Sequence, residues 1–180
     1  MKHFLLFLVF ILLCVAACEY QEPLSEKQNI PIDQALLGLW EPAPEKNEPK
    51  PSGEWILALK YSDTEYMIHY QTGSESMYFR AYPLKIGDIS CVQLQLIGDS
   101  KGPLAKTEPA YQVASVTLTG DEVTIRMMNT SVVGRDLAGP ALRESFLKNS
   151  KNTDLFREPV KFRRVKKADG PHLKPACPVK

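Results

Sequence analysis

Beyond Gly53 the chain alternates. Trp55, Leu57, Leu59 and Tyr61 share one side of the run from Glu54 to Tyr61, and in the next run Tyr66, Ile68 and Tyr70 oppose Met67 and His69. Met77, Phe79 and Ala81 are then set against Tyr78, Arg80 and Tyr82, and Val92, Leu94 and Leu96 against Cys91, Gln93 and Gln95. The same habit returns over Tyr111–Leu118 and Glu122–Met128. A period of two marks strands, because successive side chains point to opposite faces. Ser62-Asp63, Gly73-Ser74, Gly87-Asp88, Gly98-Asp99 and Gly120-Asp121 interrupt the runs with residues that favour turns. A first strand is expected at Gly38-Leu39-Trp40-Glu41 and a last one at Pro159–Val165, with a proline-studded loop, Pro42–Ser52, after the first. One segment departs from the period. After Gly139-Pro140, Ala141–Leu147 places Leu142 and Phe146, with Leu147 beside them, on one helical face, predicting a single late helix that caps or flanks the strands. The fold class expected is mostly β: an antiparallel up-and-down barrel of about eight strands with one late helix.

The two ends do not alternate. Lys2 and His3 precede an apolar run from Phe4 to Val15, which is followed by Ala16-Ala17-Cys18. That order reads as a secretory signal, and the run falls short of the roughly 20 apolar residues needed to span a bilayer. Val15-Ala16-Ala17-Cys18 resembles the lipobox of bacterial lipoproteins. The resemblance implies cleavage before Cys18, a diacylglyceryl group on its sulfur and an acyl chain such as palmitate on its amine. With Glu19 after the cysteine, it implies an outer-membrane address facing the periplasm. The chain then divides into a signal peptide (1–17), a lipidated N-terminus and tether (18–33), a barrel (34–166) and a Pro-rich basic tail (167–180).

Charge adds an asymmetry. The whole chain carries a formal +1, and loss of Lys2 with the leader brings it to zero, so neither a nucleic-acid partner nor an acidic substrate is indicated. Glu19 to Glu54 holds eight acidic residues against three lysines, whereas Arg157 to Lys180 holds eight basic residues against Glu158 and Asp169. Two solvated ends would account for this, and so would first and last strands lying side by side in a closed barrel.

Candidate chemistry is sparse. If Cys18 carries lipid, Cys91 and Cys177 remain as a candidate disulfide in an oxidising compartment. No cofactor or metal spacing, nucleophile motif or phosphate-binding loop is present in the sequence. A hydrolase built on His69 would need a carboxylate or hydroxyl partner within hydrogen-bond reach. The aromatic residues are more informative. Tyr66, Ile68, Tyr70 and Phe79 are candidates to line a cavity, because rings with polar tips suit a site for an amphiphile, although they also suit plain core packing.

Gly38-Leu39-Trp40 followed by meandering strands is similar to the lipocalin pattern. The resemblance implies a barrel that opens with Gly-x-Trp, with an arginine from the last strand stacked on the tryptophan. Alternation from Val160 and Phe162 selects Arg164 over Arg163 as partner of Trp40. Two departures stand out: the Thr-Asp-Tyr motif of that family is missing, and a strand follows the late helix. The reading that results is a non-enzymatic, lipid-anchored envelope protein without a cofactor, held to the membrane through Cys18. Its barrel would bind a small apolar or amphiphilic molecule. The alternative is a structural or assembly accessory that presents barrel loops to another envelope protein.

Overall fold

The structure, a computed structural model, describes residues 20–44, 53–105 and 110–166. The alternating runs form β1 (Gly38–Pro42), β2 (Trp55–Lys60), β3 (Tyr66–Thr72), β4 (Glu75–Ile86) and β5 (Ile89–Asp99). They continue as β6 (Gly102–Pro103), β7 (Ala110–Thr119), β8 (Glu122–Met127) and β9 (Val160–Arg164). Sheet order is β4-β3-β2-β1-β9-β8-β7-β5-β6, and β4 also pairs with β5. Every pairing is antiparallel. Eight strands therefore close on themselves in chain order, and β6 is a two-residue addition to β5. Closure removes the free edges that a flat sheet of this length would expose.

The seam lies between the ends of the chain. Trp40 faces Arg164, Glu41 faces Arg163 and Pro42 faces Phe162. A guanidinium nitrogen of Arg163 lies 2.7 Å from Glu41 Oε1, so the acidic start and the basic finish of the barrel meet here. Of the two accounts of the charge asymmetry, adjacent first and last strands are what these residues form.

Register separates the two faces of the wall. Gly38, Ala58, Ile68, Phe79, Leu96 and Ala110 form one row across six strands. Two clusters of buried side chains, one around Tyr66 and Ala81 and one around Trp40, Val123 and Phe162, sit on opposite walls and both touch Leu36. Only inward-facing side chains could share that neighbour, so this row and its alternates point into the barrel.

A second core lies outside the wall. Tyr82, Leu84 and Ile86 of β4, Cys91 of β5 and Val113 of β7 project outward and are covered by Tyr20, Leu24, Val133, Leu142 and Phe146. Two helices contribute, where the sequence pattern indicates one: α1 (Thr130–Val133) and α2 (Gly139–Lys148). Four residues are too few to show a helical period, and α1 is set instead by its cap, Asn129, whose side chain accepts from the Ser131 N–H. In α2, Leu142 and Phe146 are buried as the helical face demands, but Leu147 is exposed. The helix flanks the barrel rather than capping it. Among the described residues no helix is long and apolar enough to cross a membrane.

Residues 20–33 differ from the tether their polarity suggests. Tyr20 bridges to Tyr111 on β7, the Leu24 N–H donates to Gln93 Oε1 at 2.8 Å, and the Ile32 N–H donates to Asp63 O at 3.0 Å. The segment is a strap laid across β7, β5 and β4. Two apolar anchors, Tyr20 and Leu24, outweigh its polar remainder because both are buried.

Candidate ligand-binding lumen

One end of the barrel is latched. Asp33 caps a single 3-10 turn, Gln34–Leu36, that leads into β1. Trp40 lies buried beneath it and donates Nε1–H to Leu36 O at 3.0 Å. The Arg164 guanidinium lies 4.2 Å over the Trp40 ring, donates to Leu37 O at 2.7 Å and also donates to Ala35 O. These two residues thus face each other across the β1–β9 seam and hold the turn in place by cation–π contact and two charge-assisted hydrogen bonds. Gly38 is required beside them. Its φ is +130°, and a Cβ there would meet Arg164 Nη1 at 3.0 Å.

All four cavity-lining candidates, Tyr66, Ile68, Tyr70 and Phe79, share the inner face of β3 and β4. They differ in what their polar tips do. Tyr66 is buried at the latched end, where its hydroxyl accepts from the Asp33 N–H at 2.7 Å. Burial raises its pKa, partly offset by that hydrogen bond. Tyr70 lies toward the other end and donates its O–H to Glu54 Oε1 at 2.7 Å. Burial, followed by the adjacent carboxylate, holds its proton well above the usual phenol range. Phe79 is packed away, whereas Ile68 keeps some accessible surface.

That accessibility is general along the inner wall. Ile56, Ile68, Val92, Leu94, Val116 and Ile125 face inward yet are only partly buried. They lie on the inner side of the wall and keep some accessible surface there. Two clefts of about 470 Å³ and about 280 Å³ lie elsewhere, on the outer wall. The larger runs between the strap and α2, beside Ser25, Lys85 and Arg143. Neither cleft reaches the inner face of the barrel.

The aromatic cluster divides between the two faces. Tyr61 and Tyr78 point outward and are exposed, and Tyr82 points outward beneath the strap, donating to Ser25 O at 2.8 Å. His69 is outward too. Its ring meets Trp55 edge-on at 4.6 Å and stacks on Tyr78 at 4.5 Å. Its buried Nε2 has no hydrogen-bond partner among the described residues. Burial lowers the pKa of its imidazole. Among the described residues no three His, Cys, Asp or Glu side chains are placed to hold a metal ion.

Cys91 lies under the strap on the outer face, where burial pushes its thiol up to about 12. Its sequence partner, Cys177, lies outside the described residues, as do the leader and Cys18. Sequence reasoning passed over Glu54, because its carboxylate looked like one of many scattered over turns and loops. The signal was its position two residues before Ile56, which at period two assigns both to one face. Gln93, the polar residue buried in the outer core, was equally hidden, since alternation cannot show that both faces of β5 are covered. The chain matches no family model, no curated protein and no solved structure.

Proposed function

We propose that this chain is a lipid-anchored envelope lipoprotein whose lipocalin-like barrel holds a small apolar or amphiphilic molecule by burial, without catalysing a reaction on it. The observation that carries the reading is the partly accessible aliphatic inner wall in a barrel latched at one end. An eight-stranded barrel is just wide enough for one small ligand when side chains do not fill it. The anchor reading is supported by Val15-Ala16-Ala17-Cys18. With the strap docked on β7 from Tyr20 onward, an acyl anchor at Cys18 would hold that side of the barrel close to the bilayer.

Native mass spectrometry with solvent extraction of the protein purified from its own envelope tests the lumen. A bound small molecule, displaced by an apolar fluorescent probe, is expected. Failure to recover any molecule together with failure to bind the probe would sink the reading. For the anchor, Cys18→Ala is expected to leave the leader uncleaved or release the protein from the membrane fraction, and normal maturation and retention would refute it.

A second reading, an assembly accessory, draws on the outer wall. Leu59 and Tyr61 are 50% and 55% exposed and share the outer face with Trp55, with the Arg80 guanidinium over the Tyr61 ring, an area that a partner protein could cover. Crosslinking that captures one envelope protein, lost on Leu59→Glu with Tyr61→Glu, would favour it over the lumen.

A further inference from the structure

The polar furniture of the lumen has a sign. Glu54 lies at the start of β2, at the end of the barrel remote from the 3-10 turn, and its carboxylate meets Tyr70 Oη on the inner face. Tyr70 in turn faces Ile56 on β2 and Met77 on β4, so this hydrogen-bonded pair borders the accessible aliphatic wall. The Tyr70 hydroxyl donates to one oxygen of Glu54, and no cation among the described residues pairs with that carboxylate. Other charges among the described residues at this end do not change the balance. Glu75, opposite Thr72 on β4, adds a second carboxylate on the inner side. Arg126 is spent on the carbonyls of Phe156 and Arg157, and Lys101 is exposed in the turn between β5 and β6.

A half-buried carboxylate with no counter-cation among the described residues favours a positive partner and disfavours a negative one, more strongly than it would in open water. Tyr70 Oη donates to Glu54 and has the Thr72 hydroxyl within hydrogen-bond reach, so it orients the carboxylate, whose remaining lone pairs can accept from an N–H donor. We infer that, if the lumen takes a ligand as proposed above, that ligand is an amphiphile with an aliphatic or aromatic body and a cationic, N–H-bearing head. The head sits at Glu54 and Tyr70, and carboxylate-headed chains such as free fatty acids are rejected. The inference rests on the ligand-binding reading and adds the head-group chemistry to it.

Three chain-matched probes separate the two. Dodecylamine, dodecanol and dodecanoate, each below its aggregation limit at neutral pH, are titrated against the mature domain by calorimetry. The amine is expected to bind at least about tenfold tighter than the carboxylate. Glu54→Gln, which keeps an acceptor for Tyr70, should bring the two within about threefold and leave dodecanol unchanged. Tyr70→Phe should weaken the amine several-fold with little effect on dodecanol. Thermal melts of both variants establish that they fold. If dodecanol binds but the carboxylate binds as tightly as the amine, or Glu54→Gln leaves their ratio unaltered, the head-group inference is overturned while the lumen stands. If none of the three binds, the lumen reading fails and this one falls with it.

Discussion

Arg164 and Trp40 show how much one side chain can organise. Removing the guanidinium leaves the carbonyls of Leu37 and Ala35 without donors and uncovers a buried indole. A hydrogen bond to a charged group is worth about 1.5–3 kcal/mol, and the Arg164 side chain is 27% exposed, so water recovers part of the loss. Arg164→Leu is expected to cost about 2–3 kcal/mol in urea unfolding. A double-mutant cycle with Trp40→Leu should show a coupling of about 0.5–2 kcal/mol. Additive losses would mean that the two residues act separately. His69 makes a prediction of opposite character. Its pKa in the folded protein is depressed below the ordinary 6.5 by burial. Below that pH the unfolded chain takes up a proton that the folded one refuses, so stability is full above 6.5 and falls as pH drops through it. The melting temperature of the wild type should therefore fall further between pH 7.5 and 5.5 than that of His69→Gln, and parallel curves would contradict this.

At the scale of elements, the strap and α2 depend on the outer face of β4, β5 and β7. Gln93 is wholly buried, accepts from the Leu24 N–H and donates to Tyr82 Oη at 3.1 Å. Gln93→Leu conserves volume but strands the Leu24 amide, so the strap should loosen before the barrel does. Trypsin is then expected to cut after Lys27 about tenfold faster under native conditions, since a loss of about 1.4 kcal/mol raises the open population by that factor. An unchanged cutting rate would show that Tyr20 and Ile32 suffice to hold it. Phe146 is fully buried in the same outer core, and Phe146→Ala should cost about 3–5 kcal/mol by chemical denaturation. A cost below about 1 kcal/mol would mean that α2 is dispensable. The helical face of α2 was legible because Leu142 and Phe146 are four apart. The strap was not, because Tyr20 and Leu24 are isolated apolar residues in a polar stretch, and only the surface they meet gives them a place.

Closure belongs to the whole molecule. β9 pairs with β1 across more than a hundred residues of sequence and is also the neighbour of β8. A chain ending at Arg157 would leave β1 and β8 as open edges, which recruit other chains. Such a truncation is expected to elute as soluble aggregate in size-exclusion chromatography, whereas a monodisperse monomer would show that the seam is not needed for closure. The opposite charges at the two ends of the chain were the sequence's hint of this seam, and Glu41 with Arg163 is where it is realised. The hint was weak because charge acts without direction, and solvated ends would have looked the same.

Local chemistry carried by the sequence alone determined the main strands, their turns, the antiparallel barrel and the sharing of one strand face by Tyr66, Ile68 and Tyr70. A period of two and turn residues are properties of neighbours in the chain, and a one-residue error would turn a whole strand inside out. Which face is inside was left for the tertiary structure, and it chose against appearances in β2. Trp55, Leu57, Leu59 and Tyr61 lie on the outer side, while Ile56 and Ala58 face the lumen. It also decided that β4 and β5 are buried on both sides, that residues 20–33 lie on the wall, and that Glu54 reaches Tyr70. Each of these depends on a contact between distant segments, and alternation records only that a residue has two sides, not what waits on either.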